Sequence, residues 1–193
     1  MSTGAPPFWP SAAAAVSRCV ADVPEDQPLV LVAHSNAGLF MPTVRAALPH
    51  PVAASVFVDA ALPARSGSTP VADPELLDFL RPLAADGVLP RWTDWWDESD
   101  VAPMFPDAPT RKTIVEEQPR LPLSYYEQAV PVPPAWDDHP SAYILFGPPY
   151  ERAAQEARER GWRVARLPGE HLHQTVDPAA TAELITSLAQ GPG

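Results

Sequence analysis

The sequence predicts an α/β fold, in which a parallel β-sheet is flanked by helices. Three short runs are almost continuously apolar, as strands buried on both faces of a parallel sheet are, and the run WRVARLP over 162–168 is a fourth candidate strand. Segments with apolar residues at helical spacing lie between these runs. The prolines, 27 in 193 residues, are dense over 1–10, 63–140 and 148–149 and sparse elsewhere. Because strands that alternate with helices form parallel sheets with right-handed crossovers, we expect about four parallel strands.

The predicted elements follow one another in a regular order. A helix over 11–23, with Ser11 as its N-cap, precedes the first strand over 29–33. A helix over 36–48 leads to the second strand over 54–60. After a long insert come a third strand over 142–146, a helix over 151–162 and a fourth strand over 162–168. Asp177 and Pro178 begin the last helix, over 178–189.

The insert over 65–138 interrupts this alternation and contains most of the prolines. It is also rich in tryptophan and leucine, so we interpret it as a folded cap rather than a disordered segment. Helices are expected near 74–86 and 107–118, with a further helical piece near 122–129. The predicted organisation is therefore an α/β core of residues 1–64 and 139–193, with a helical cap over 65–138.

Charge and composition exclude several classes of function. The net charge of −11 argues against a nucleic-acid or anionic-membrane partner, since both require a basic surface. No apolar run approaches the roughly 20 residues that a membrane span needs, and residues 1–10 lack the pattern of a signal peptide. The single cysteine excludes a disulfide framework. We therefore expect a cytoplasmic protein that acts on a small molecule without a metal or cofactor.

The candidate nucleophile is Ser35, in the stretch AHSNAG over 33–38, where the first strand turns into a helix. A nucleophile elbow needs small residues two before and two after the serine, and Ala33 and Ala37 meet that requirement. The turn would expose the hydroxyl and aim the backbone amide of Asn36 at a developing oxyanion. The alternative is a serine that only caps a helix.

A serine nucleophile needs a base and an acid that orients the base. His171 and His173 follow the fourth strand, and we favour His171 because Leu172 can anchor the loop inward. Asp59 ends the second strand, where a buried carboxylate would need a partner. Glu151 is the weaker alternative for the acid, and a turn-forming role is the alternative for Asp59.

Aromatic residues of the insert are candidates for the substrate pocket. We expect Trp92, Trp95, Trp96 and Tyr125 to line it, together with His34 beside the nucleophile. Such clusters also occur in ordinary hydrophobic cores, and that alternative stays open. If they do line a pocket, the substrate is apolar or carries a ring.

The motifs AHSNAG, SVFVDAALP and LPGEHLHQTVDP, in this order, resemble the α/β-hydrolase superfamily. The resemblance covers about residues 11–190 and is strongest to small bacterial members with a cap between the sixth and seventh strands. It implies that Ser35 follows strand five of that fold, Asp59 strand six and His171 strand eight. A serine at the elbow implies ester, thioester or amide chemistry.

The sequence departs from this superfamily before the elbow, where the usual fold has four further strands. The loop after the third of these usually supplies the second oxyanion amide, so the resemblance implies a truncated α/β-hydrolase fold with one known donor. Strand 29–33 would then lie at a sheet edge, which proteins normally cover. We expect this edge to pair in a homodimer or with another chain. The alternative is that the short N-terminus is not native.

Three functions are compatible with these residues. The first is a serine hydrolase or acyl-transfer enzyme with a Ser35–His171–Asp59 triad. The second is a cyclase, lyase or isomerase on the same fold, with His171 as general acid and base. The third is a non-catalytic half-fold completed by a partner chain. The triad favours the first function and the absent oxyanion loop favours the second.

Overall fold

Four parallel strands form the sheet of the computed structural model, which describes residues 6–190. The strands are β1 (Leu29–Ser35), β2 (Val52–Ala60), β5 (Ser141–Leu145) and β6 (Arg163–Arg166). They lie side by side in the order β1-β2-β5-β6, and every neighbouring pair is parallel. The predicted α/β fold with about four parallel strands is therefore confirmed, and the carboxyl ends of all four strands lie at the same edge of the sheet.

Alternate side chains of the central strands enter two hydrophobic clusters, one on each face of the sheet. Phe57, Tyr143 and Leu145 face a cluster that includes α1 (Trp9–Cys19), α2 (Met41–Ala47) and α6 (Glu151–Glu159). Val56, Val58, Ile144 and Phe146 face Leu188 and its neighbours on α8 (Pro178–Ala189), which follows the short helix α7 (His173–Val176). This two-sided burial explains why the two central strands, β2 and β5, are almost continuously apolar in the sequence.

Several predicted helices have different bounds in the structure. The first begins at Trp9, two residues before the predicted Ser11 N-cap, and ends at Cys19. The helix expected over 36–48 is a 3₁₀ turn, Asn36–Phe40, followed by α2. Pro42 lies in the first turn of α2, where proline costs no hydrogen bond. Asp177 caps α8 as predicted, since its carboxylate accepts from the backbone N–H of Ala180.

The insert contains a two-stranded antiparallel sheet that the sequence analysis does not predict. Strand β3 (Gly67–Pro70) pairs with β4 (Ala129–Val132) at the two ends of the insert. Between them lie α3 (Pro74–Leu80), α4 (Glu98–Val101) and α5 (Ala108–Glu117), with 3₁₀ turns at 81–83, 92–94, 102–104 and 123–125. The helix expected near 122–129 is therefore wrong, apart from the turn Leu123–Tyr125. The division into core and cap stays a prediction.

Strand β1 is at one edge of the four-stranded sheet. Val30 and Val32 are 42% and 48% exposed there. This is an apolar edge of the kind that favours pairing with another strand, and the expected homodimer or partner chain remains a prediction. Within residues 6–190, none of the helices is both long enough and apolar enough to cross a membrane.

Candidate active site

Ser35 lies at the end of β1 in a backbone conformation that is rare for a residue with a side chain. Its φ of 59° and ψ of −137° make a sharp turn between the strand and the 3₁₀ turn Asn36–Phe40. Conformations of this kind cost on the order of 1–3 kcal/mol and persist where surrounding contacts enforce them. The structure thus has the strained strand-to-helix turn that the sequence predicts at Ser35.

Gly38, which the sequence analysis does not single out, makes a close backbone approach in this turn. A Cβ atom on Gly38 would collide with the carbonyl oxygen of Ala61. It would also lie 3.2 Å from both Ala60 Cβ and Phe57 Cδ1. By contrast, Ala37 is exposed. Gly38 is therefore the residue whose missing side chain lets the helical turn pack against the end of β2.

The structure brings His171, and not His173, to Ser35. His171 Nε2 lies 2.9 Å from Ser35 Oγ, and its Nδ1 lies 2.7 Å from Asp59 Oδ2. The His173 ring instead packs edge-on against Phe146, with 5.5 Å between ring centroids. The two ring nitrogens of His171 therefore join the serine to the carboxylate in one chain of hydrogen bonds.

Asp59 is fully buried at the end of β2, with a φ of 42°. Its Oδ1 accepts from the backbone N–H groups of Phe146, at 3.0 Å, and Gly147, at 3.4 Å. The Tyr143 hydroxyl bonds both the N–H and the carbonyl of Ala60, at 2.9 and 2.7 Å, which holds the backbone beside Asp59. An ionised carboxylate only accepts hydrogen bonds, so Nδ1 of His171 carries the proton and Nε2 is free to accept one.

Glu151, the alternative acid, lies away from the hydrogen bonds that join Ser35, His171 and Asp59. It is the first residue of α6, its side chain is 52% exposed, and its carboxylate is 3.6 Å from Arg166 Nη1 and 4.0 Å from Arg158 Nη1. Glu151 is therefore placed to form exposed ion pairs, while Asp59 is placed to orient His171.

His34 and Asn36, on either side of Ser35, are both tied to neighbouring segments. His34 Nε2 donates to the carbonyl oxygen of His171 at 2.8 Å, and the two imidazole rings are 4.5 Å apart. Burial, reinforced by nearby His171, lowers the pKa of His34 to about 4, so this ring is neutral at neutral pH.

The Asn36 side chain donates to Val71 O and accepts from Tyr125 Oη. Its backbone N–H belongs to the first turn of a helical segment, where amides lack intrahelical partners.

Tyr150 is a site residue that the sequence analysis misses. Its hydroxyl oxygen lies 3.2 Å from Ser35 Oγ, and its ring stacks on His171 with 5.1 Å between centroids and an interplanar angle of 12°. Burial raises the pKa of Tyr150 above its usual value. Its position in the turn that follows β5, at the edge of the sheet where the strands have their carboxyl ends, is the signal that could have identified it.

The four aromatic residues proposed to line a pocket do not all reach the site. The Trp92 ring lies 5.8 Å from the His171 ring, and Tyr125 contacts Asn36. Trp95 donates to the carbonyl of Pro90 and packs edge-on against another ring of the insert. Trp96 is 41% exposed and stacks on Phe79. The structure therefore brings Trp92 to His171 and Tyr125 to Asn36, and it places the other two in contacts within the insert.

An apolar cleft of about 290 Å³ lies beside the turn at Ser35. Its walls include Ala33, Ala37, Phe40 and Tyr125, and residues of α1 close one side. This volume is near the lower end of those known for ligand pockets, roughly 300–1,000 Å³. Over residues 6–190, no group of three His, Cys, Asp or Glu side chains is arranged to hold a metal ion.

Comparisons with known proteins match this chain by structure rather than by sequence. No family model and no curated protein sequence matches it. An extracellular α/β-hydrolase from a Paenibacillus species superposes with a TM-score of 0.68 at 15% identity, over 93% of this chain and 79% of its own. Polyneuridine aldehyde esterase superposes with a TM-score of 0.62 at 14% identity, over 92% of this chain and 78% of its own.

Two further similar structures widen the range of activities. A pyrethroid hydrolase has a TM-score of 0.62 at 20% identity and covers 95% of this chain and 78% of its own. A variant of tomato methylketone synthase I has a TM-score of 0.69 at 11% identity and covers 92% of this chain and 77% of its own. At such identities the likeness concerns the fold, which several chemistries share. The parallel sheet, the turn at Ser35 and these superpositions together show that the chain has the α/β-hydrolase fold.

Proposed function

We propose that this protein is a serine hydrolase that cleaves esters or thioesters of an apolar small molecule through an acyl-enzyme. The observation that carries the proposal is the continuous hydrogen-bond chain from Asp59 through His171 to Ser35. It lies at the carboxyl ends of parallel strands, where this class of sheet binds its substrates. The esterases and hydrolases among the similar folds agree with it.

The proposed reaction uses each of the three residues for one task. His171 Nε2 takes the Ser35 proton as Oγ attacks the carbonyl carbon, and the carbonyl π electrons move to its oxygen. Collapse of this intermediate re-forms the carbonyl and expels the alkoxide or thiolate, which takes the proton from His171. Water then attacks the acyl-enzyme by the same route and releases the acid. Asp59 stays ionised and stabilises the imidazolium, and the Asn36 amide donates to the oxyanion.

The apolar cleft next to the turn at Ser35 favours an apolar acyl group. The cleft beside Ala33 and Ala37 is lined mainly by hydrocarbon and aromatic side chains. The Trp92 ring lies next to the His171 ring, with 5.8 Å between their centroids. A short acyl chain bound there would leave water and gain roughly 0.8 kcal/mol for each buried methylene. We therefore choose p-nitrophenyl butyrate and hexanoate as first substrates.

The test is intact mass after incubation with a fluorophosphonate, which reacts with activated serines. The wild type should gain one adduct, and Ser35→Ala and His171→Ala should gain none in the same time. Ser187→Ala, an exposed serine of α8, and His173→Gln are the matched controls and should label like the wild type. A folded wild type that forms no adduct would contradict the proposal. The non-hydrolytic and partner-dependent alternatives would then be favoured.

A further inference from the structure

The Ser35 hydroxyl has two hydrogen-bond partners but only one proton to donate. Its Oγ lies 2.9 Å from His171 Nε2 and 3.2 Å from the hydroxyl oxygen of Tyr150. Because His171 Nδ1 bonds the Asp59 carboxylate, Nε2 can only accept, so the serine proton points to His171. Tyr150 must then be the donor in its contact with Ser35. Its O–H is therefore directed at the atom that forms the new bond.

We propose that the Tyr150 hydroxyl is the second oxyanion donor of this site, acting together with the backbone N–H of Asn36. This inference rests on the proposed function of Ser35 as the nucleophile. Tyr150 supplies this donor from the turn after β5, whereas the resemblance to α/β-hydrolases implies a donor from a loop that precedes the nucleophile. Tyr150 keeps its proton throughout, so no bond to this residue forms or breaks in the reaction.

The distance between Tyr150 and Ser35 is compatible with this role. In the tetrahedral intermediate, the oxyanion and Ser35 Oγ are bonded to the same carbon, so the oxyanion lies beside Oγ. The Tyr150 hydroxyl lies 3.2 Å from Oγ in the resting site. A small rotation of the O–H group about the C–O bond, with a small tilt of the ring, therefore redirects its proton from Oγ to the oxyanion. Effective oxyanion donors lie roughly 2.7–3.1 Å from the oxyanion.

The Tyr150 ring is held in place before any substrate binds. It stacks on His171, with nearly parallel planes, and follows two prolines in the 3₁₀ turn Pro148–Tyr150. Proline restricts the backbone of this turn, which lowers its freedom to move the ring. Burial also raises the pKa of the phenol, so it remains a donor across the neutral range. A donor fixed in this way requires little reorganisation during the reaction.

The test compares Tyr150→Phe with the wild type. Phenylalanine retains the stacked ring and removes only the hydroxyl. For p-nitrophenyl butyrate, kcat should fall on the order of 10²–10³-fold, the usual effect of losing one oxyanion donor, with little change in KM. Affinity for heptyl trifluoromethyl ketone should fall in proportion, because its adduct with serine carries an oxyanion. Tyr126→Phe, in a buried ring of the insert, is the matched control and should change neither value.

The possible outcomes separate this inference from the proposed function. If the wild type labels with fluorophosphonate and hydrolyses the ester, but Tyr150→Phe keeps kcat within threefold, the Tyr150 assignment is overturned and the serine hydrolase stands. A fall in kcat without a fall in ketone affinity also overturns it, since the hydroxyl would then act only through the position of His171. A folded wild type that neither labels nor hydrolyses overturns both.

Discussion

Replacing Asp59 by asparagine tests the buried carboxylate with almost no change in shape. Oδ1 of Asp59 accepts from the N–H groups of Phe146 and Gly147, and only Oδ2 faces His171. In Asp59→Asn the amide oxygen must keep the first position, because two N–H groups point at it. The amide NH₂ then faces His171 Nδ1.

This orientation forces His171 into the wrong tautomer. Two N–H groups cannot face each other at 2.7 Å, so Nδ1 gives up its proton and Nε2 carries it. Nε2 then has no lone pair to accept the Ser35 proton. In triads of this type the same change lowers kcat about 10⁴-fold, which corresponds to about 5.4 kcal/mol of transition-state stabilisation.

The assay is the steady-state hydrolysis of p-nitrophenyl butyrate at about pH 7, with circular dichroism to verify the fold. Asp107→Asn is the matched control because Asp107 caps α5 and asparagine caps helices equally well. Its kcat should equal that of the wild type. A folded Asp59→Asn variant that retains more than a tenth of wild-type kcat would refute the assignment of Asp59 as the orienting acid.

Four further predictions concern the pocket, pH, packing and assembly. Trp92→Ala should raise KM for the hexanoate ester on the order of tenfold through lost apolar contact, whereas Trp96→Ala should not. His34 has a pKa of about 4 in the fold and about 6.5 unfolded, so the unfolded chain binds more protons between these values. Acidification from about pH 7 to about pH 4.5 should therefore lower the unfolding free energy of the wild type more than that of His34→Gln, by roughly 2–3 kcal/mol. Gly38→Ala should lower the free energy of unfolding, measured by urea denaturation, on the order of 3 kcal/mol, because the added Cβ meets a backbone carbonyl. If β1 pairs across a two-fold axis, light scattering should give twice the monomer mass, and Val32→Lys should give the monomer.

Each of these predictions has an outcome that contradicts it. Equal KM values for the two tryptophan variants would remove Trp92 from the pocket. Parallel acid profiles for wild type and His34→Gln would mean that His34 does not remain neutral in the fold. A Gly38→Ala variant as stable as the wild type would show that the turn relaxes at low cost. A monomeric wild type at micromolar concentration would exclude the edge-paired dimer.

The long apolar elements and the three triad candidates are predictable because their signals are local. Leu29 to Ala33 is apolar on both faces of a strand, and Asp177 followed by Pro178 favours the start of a helix. The short elements of the insert are not predictable in this way. Strands β3 and β4 are four residues each and pair across about sixty residues, so neither is recognisable without its partner. Proline in β4 also disfavours a strand by propensity, which the pairing overrides.

The sequence by itself determined the strand order along the chain, the strained turn at Ser35 and the residues that we propose for acyl transfer. These follow from composition within a few residues of each position. Only the tertiary structure decided between His171 and His173, placed Tyr150 on the serine, and separated Trp92 from Trp96. The positions of His171 and Tyr150 depend on the approach of segments more than a hundred residues apart in the sequence, such as Ser35 and Tyr150. The loops that follow β5 and β6 pack over the end of β1 and set these positions. No local sequence pattern indicates how closely these loops approach Ser35.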